Sequence, residues 1–120
     1  MGFMVENKLA DDAARRNVAA GYHYFDADTM KGFGSKLHEG YDAGESGTIV
    51  VMSNKSRSDY IVNGRRHYFI MRVAMDGRTH RVEGHEYNVS ERSGYYLTLA
   101  GARGAARKVA SAMFGKAVVS

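Results

Sequence analysis

Apolar and polar positions alternate most clearly between Arg65 and Tyr87, on either side of an Asp76-Gly77 pair. Asp-Gly between two alternating runs predicts a β-hairpin with a two-residue turn. That turn sets Met75 opposite Arg78, Val73 opposite His80, Met71 opposite Val82 and Phe69 opposite Gly84. Phe69, Met71, Val73, Met75 and Val82 then share the core face. The other face carries Tyr68, Ile70, Arg72, Arg81, Glu83 and His85, with Arg72 directly across from Arg81.

The remaining pattern supplies further strands and the helices that cover them. Residues 1–20 carry only Val5, Leu9 and Ala13 at helical spacing, which predicts an N-terminal arm or short helix. Asp26 is placed to cap a helix, with Phe25 and Met30 as a hydrophobic staple. Met30, Phe33, Leu37 and Tyr41 follow at spacings of three and four, so this helix is expected to run to about Gly40. Thr48 to Met52 is β-branched and apolar on both sides, the pattern of a buried strand. Tyr60-Ile61-Val62 before Asn63-Gly64 reads as a short strand entering a turn. Tyr95, Leu97 and Leu99 alternate as a last strand facing inward, and a helix is expected over roughly Ala102 to Phe114. Together these predict an α+β fold: an antiparallel β-meander of about four strands with two helices packed on one face. Residues 21–120 form a single α+β domain in this reading.

Tyr24-Phe25-Asp26-Ala27-Asp28-Thr29-Met30, followed by Phe33-Gly34-Ser35, resembles a segment of small uncharacterised proteins of tailed bacteriophages. The likeness is centred on this segment and extends more loosely to the strand-rich region and the alanine-rich helix after it. It implies a phage setting and brings no catalytic residues with it.

Composition narrows the chemistry. In a chain of 120 residues there is no cysteine, which removes disulfides, thiolate nucleophiles and cysteine-ligated zinc together. No apolar run reaches the roughly 18–20 residues that a membrane-spanning helix needs. The N-terminus lacks a signal-peptide pattern, so the expected location is the cytoplasm, that of the host if the chain is phage-encoded. No HExxH, Walker loop or GxSxG elbow is present, and the expected register keeps His67, His80 and His85 from meeting on one metal. No cofactor, metal or catalytic residue is assigned.

Charge is uneven. Residues 1–60 hold 7 Lys/Arg against 9 Asp/Glu, whereas residues 61–120 hold 10 against 4. The second half therefore suits an anionic partner. The candidate partner-binding surface comprises Arg57, Tyr60, Arg65, Arg66, Tyr68, Arg72, Arg81, His85, Arg103 and Arg107. Arginine pairs carboxylates and phosphates through a planar fork, and interleaved tyrosines offer rings for stacking. These residues point first to a non-enzymatic interaction protein that binds a host protein or nucleoprotein and modulates or inhibits it, as in anti-defence or host takeover. Direct binding of DNA or RNA is the alternative, and an unrecognised small enzyme the third class. An exposed Tyr68–Ile70 face would equally serve a homodimer.

Overall fold

A computed structural model describes residues 7–32, 34–54, 66–88, 91 and 93–119. Four strands form one antiparallel sheet in chain order: β1 Ser35–Asp42, β2 Thr48–Asn54, β3 His67–Val73 and β4 Thr79–His80. Three α-helices accompany it: α1 Lys8–Ala19, α2 Ala27–Gly32 and α3 Leu99–Val119. The α+β class and the four-stranded meander agree with the sequence pattern. The helices, however, stand on both faces of the sheet.

That arrangement follows from β2, whose residues Ile49, Val50, Val51 and Met52 are all essentially inaccessible to water. Successive side chains of a strand point to opposite faces, so an apolar run of this kind needs a cover on each. Val50 and Met52 join Leu37, Phe69 and Val73 in a cluster with Ala10, Ala13 and Ala14 of α1, and with Phe25 and Met30 around α2. Ile49, Val51 and Ile70 join Val82 in a second cluster with Ala102, Ala106 and Ala110 of α3. Each buried branched or aromatic side chain contributes roughly 1.5–3 kcal/mol.

The helix expected from Asp26 to Gly40 stops at Gly32. Its start is as anticipated: Asp26 Oδ1 accepts from the Asp28 amide at 3.0 Å, and Phe25 and Met30 are both buried. Beyond Gly34 the chain becomes β1, paired to β2 over its length. A bulge between Leu37 and Glu39 inserts one extra residue, so Leu37 and Gly40 fall on the same face three residues apart. Leu37 and Tyr41, four apart and expected on one helical face, thus fall on opposite faces of the sheet, Leu37 toward α1 and Tyr41 toward α3. Gly40 is the point where α1 crosses: a Cβ there would lie 2.6 Å from the Ala10 nitrogen.

The central hairpin is also displaced. Val73 pairs with Thr79 and Arg72 with His80, one residue from the expected register. The Ala74 amide donates to Arg78 O and the Gly77 amide to Ala74 O, enclosing a three-residue loop with Gly77 at φ 90°. A one-residue slip transfers side chains between faces. Met75 is thus 58% exposed rather than in the core, and Val82 packs with Ile70. Arg72 faces His80, which removes the like-charge pair expected with Arg81. His67 lies on the α1 side and His80 across from Arg72 on the α3 side, so they do not share a face.

Tyr95 to Leu99 does not form the expected strand. Tyr68 and Tyr96 make an isolated bridge, Leu97 is 60% exposed, and Leu99 opens α3. Thr98 explains the switch, because its hydroxyl accepts from the Gly101 amide at 3.1 Å in an N-capping contact. The expected strand at Tyr60–Val62 and its Asn63-Gly64 turn lie outside the described residues.

Candidate functional site

On the α3 side of the sheet, α3 leaves one end uncovered. The helix starts beside Tyr96, close to Gly101, and reaches Gly44, where Phe114 closes over the turn between β1 and β2. The opposite ends of β1 and β2 lie at the margin of the cluster that α3 buries, where Tyr68 and Tyr96 pack against it half-buried. There the register sets Lys36 beside Ser53, Ser53 beside Tyr68, and Tyr68 beside Tyr96. This is a continuous row across the sheet.

Ser53 is the centre of the row. Its Oγ lies 2.7 Å from Arg66 Nη1 and 2.7 Å from His38 Nε2. A guanidinium can only donate, so Oγ accepts from Arg66 and keeps both its own proton and a second lone pair, either of which can meet the imidazole. The hydroxyl is fully buried, an arrangement suited to holding its two partners rather than to attacking a substrate. The β1 bulge brings His38 to this position, with its ring 5.5 Å from that of Tyr68. Tyr68 and Tyr96 exchange both backbone hydrogen bonds, at 2.8 and 2.6 Å. The Tyr96 hydroxyl lies 2.8 Å from His85 Nδ1, and burial pushes its phenol pKa upward. Rings and cationic groups are therefore held in fixed positions by contacts with one another.

Of the residues singled out in the sequence, Arg66, Tyr68 and His85 meet here. Arg72, Arg103 and Arg107 lie elsewhere, in internal contacts. Arg72 Nη1 donates to Ser46 O at 2.8 Å. Arg103 grips the Glu39 carboxylate with Nε at 3.0 and 2.9 Å and with Nη2, while the Tyr41 hydroxyl donates to the same carboxylate. The Arg103 hydrogen bonds hold the Glu39 pKa below its ordinary value of 4.5. Arg107 stands 5.8 Å over the Tyr41 ring. Arg81 is exposed near Tyr24, in a groove lined partly by Met71 and Thr79 of the α1 side. Arg57, Tyr60 and Arg65 lie outside the described residues.

Lys36, His38, Ser53 and Tyr96 were not singled out in the sequence. The first two were hidden by the helical reading of the β1 segment. Ser53 carries no local signal, since its importance arises from pairing with β1 and β3. Among the described residues, no group of three or more His, Asp or Glu is placed to hold a metal ion. No helix among them is long and apolar enough to cross a membrane. No protein-family model, curated protein or solved structure matches the chain.

Proposed function

We propose that this chain is a binding protein for single-stranded nucleic acid, free or within a nucleoprotein, and that the row beyond α3 is its contact surface. The row itself supports the reading: Tyr68, Tyr96 and His38 place half-buried rings on a sheet face, flanked by Lys36 and Arg66. Aromatic side chains on a sheet stack bases irrespective of sequence, and nearby cations meet the phosphates. Arg66 donates to Ser53 through Nη1 and retains further N–H groups for a phosphate. The net positive charge of the second half of the chain adds attraction at longer range.

Fluorescence anisotropy with a labelled oligonucleotide tests this. Single strands are expected to bind, with affinity falling steeply between about 50 and 200 mM salt. Tyr68→Ala is expected to weaken binding by roughly 1–3 kcal/mol, with the fold intact by circular dichroism. Absence of binding at the lower salt would rule the reading out.

Leu97, 60% exposed and adjacent to Tyr96, favours a second reading in which the same end of the sheet docks on a protein. In the phage setting implied by the Tyr24–Ser35 resemblance, that protein belongs to the host and is modulated or inhibited. A nuclease-treated pull-down from bacterial lysate separates the readings: a stoichiometric protein surviving nuclease favours the second, and loss of all captured material favours the first.

A further inference from the structure

On the α1 side, the loop after α1 and the short strand β4 enclose an open groove of about 430 Å³. Cavities that hold small ligands occupy roughly 300–1,000 Å³. One wall presents the rings of Tyr22 and Tyr24, which are 49% and 42% exposed. The other presents Arg78 and Arg81. The Arg78 guanidinium stands 5.9 Å over the Tyr22 ring, and Asp76 is 3.6 Å from it on an equally exposed side chain. Two planar rings and two guanidiniums thus share a space the size of one small molecule.

Both walls hang from one side chain. Asn17 is fully buried in α1, and its Oδ1 accepts from the Tyr24 and Phe25 amides at 2.8 and 3.3 Å. Its Nδ2 donates to Gly77 O at 2.6 Å and Thr79 Oγ1 at 3.0 Å. The separation of the tyrosine wall from the arginine wall is therefore set before any ligand arrives, which lowers the ordering cost of binding.

We infer that this groove is a nucleoside-phosphate site, distinct from the row on the α3 side. The base stacks against Tyr22 or Tyr24 while the phosphate is forked by Arg78 and Arg81. Arg78 can exchange partners, because a phosphate offers it a higher charge than the solvent-exposed Asp76 carboxylate 3.6 Å away. The same chemistry is carried by a free nucleotide or by the terminal nucleotide of a strand. The site does not depend on the row binding nucleic acid.

Isothermal titration calorimetry on the full chain tests the proposal with AMP, adenosine, inorganic phosphate and a 5′-phosphorylated dinucleotide. AMP is expected to bind at least tenfold more tightly than adenosine or phosphate alone. Arg81→Gln and Tyr22→Ala should each weaken AMP at least tenfold, both being exposed positions whose folding is checked by thermal melts. Tyr68→Ala should leave AMP binding unchanged. A dinucleotide equal to AMP identifies a free nucleotide as the occupant, and a tighter one identifies a strand end; either supports the site. Failure of both to bind at millimolar concentration overturns it. So does binding unaffected by Arg81→Gln and Tyr22→Ala, or binding abolished by Tyr68→Ala.

Discussion

The two long helices cover opposite faces of one sheet by different means. On α3, alanines at positions 102, 106 and 110 lie flat against Ile49, Val51 and Ile70. Contact is apolar and non-directional, supplemented by the Arg103–Glu39 ion pair at its margin. α1 also presents a stripe of alanines, but adds directional ties. Arg16 donates through Nε to Ala74 O at 3.1 Å and through Nη2 to Val73 O and Thr48 Oγ1, both at 3.3 Å. Asn17 joins α1 to the hairpin turn and to the loop leading into α2. Apolar packing specifies that a helix lies on the sheet, whereas buried hydrogen bonds specify where. The α1 side is therefore the one whose geometry should be least tolerant of change.

Substitutions can break this contrast. Asn17→Leu removes both halves of the buried amide and leaves Gly77 O and the Tyr24 and Phe25 amides without it. A loss of roughly 3–5 kcal/mol is expected in urea denaturation, since each stranded buried group costs about 1–3 kcal/mol. Gly77→Ala comes next, at roughly 2–4 kcal/mol, because an L-residue is strained at φ 90° and its Cβ would approach Ala20 Cβ to 2.7 Å. On the other face, Ala106→Leu should cost only about 1–3 kcal/mol, because α3 can shift across an apolar surface to accommodate it. An Ala106→Leu loss equal to that of Asn17→Leu would erase the distinction.

Two pH profiles sharpen the comparison with smaller effects. Burial pushes the His67 imidazole below its ordinary pKa of 6.5. The unfolded chain then takes up this proton first, so the contribution of His67 is intact above pH 6.5 and declines as the pH falls below it. Denaturation across that range should show a steeper decline for the wild type than for His67→Phe. The Glu39 carboxyl is held low by Arg103, so its contribution is present above its ordinary value of 4.5 and is lost at lower pH. Glu39→Gln should flatten the stability profile below about pH 4.5, by the smallest amount of the set because Arg103 is solvent-exposed.

Much of this architecture was legible in the sequence. β2 was marked by its unbroken β-branched run, the hairpin by Asp76-Gly77, and α3 by its alanine stripe. What stayed hidden had specific causes. Leu37 and Tyr41 stand four apart, a helical spacing, yet the β1 bulge sends them to opposite faces of the sheet. The hairpin loop contains three residues rather than two, a choice made by packing of Gly77 against α1 rather than by the Asp-Gly pair alone. Tyr96 looked like a strand residue because Thr98, which caps α3, lies only two positions further on. The candidate site inherited these errors. Arg66, Tyr68 and His85 were recognisable from charge and aromaticity, but His38 and Lys36 were assigned to a helix, and Asn17 carries no local mark of its role.

The Asn17 contacts also bear on the order in which the molecule is assembled. Thr79 follows Asn17 by 62 residues. At a synthesis rate of roughly 5–20 residues per second, α1 waits on the order of 3–12 s for its last partner to be made. α1 precedes α2 and α3 in the chain, and its tie to Thr79 forms only after β1 and β2, on which it packs, have been made. During that interval it depends on its own resources: the Asn7 cap, whose side chain receives the Leu9 amide at 2.9 Å, and the Arg15–Asp11 pair at 2.6 Å. A docking face built from Ala10, Ala13 and Ala14 exposes little apolar surface until β1 and β2 cover it, so a nascent chain can carry the helix at low risk of aggregation.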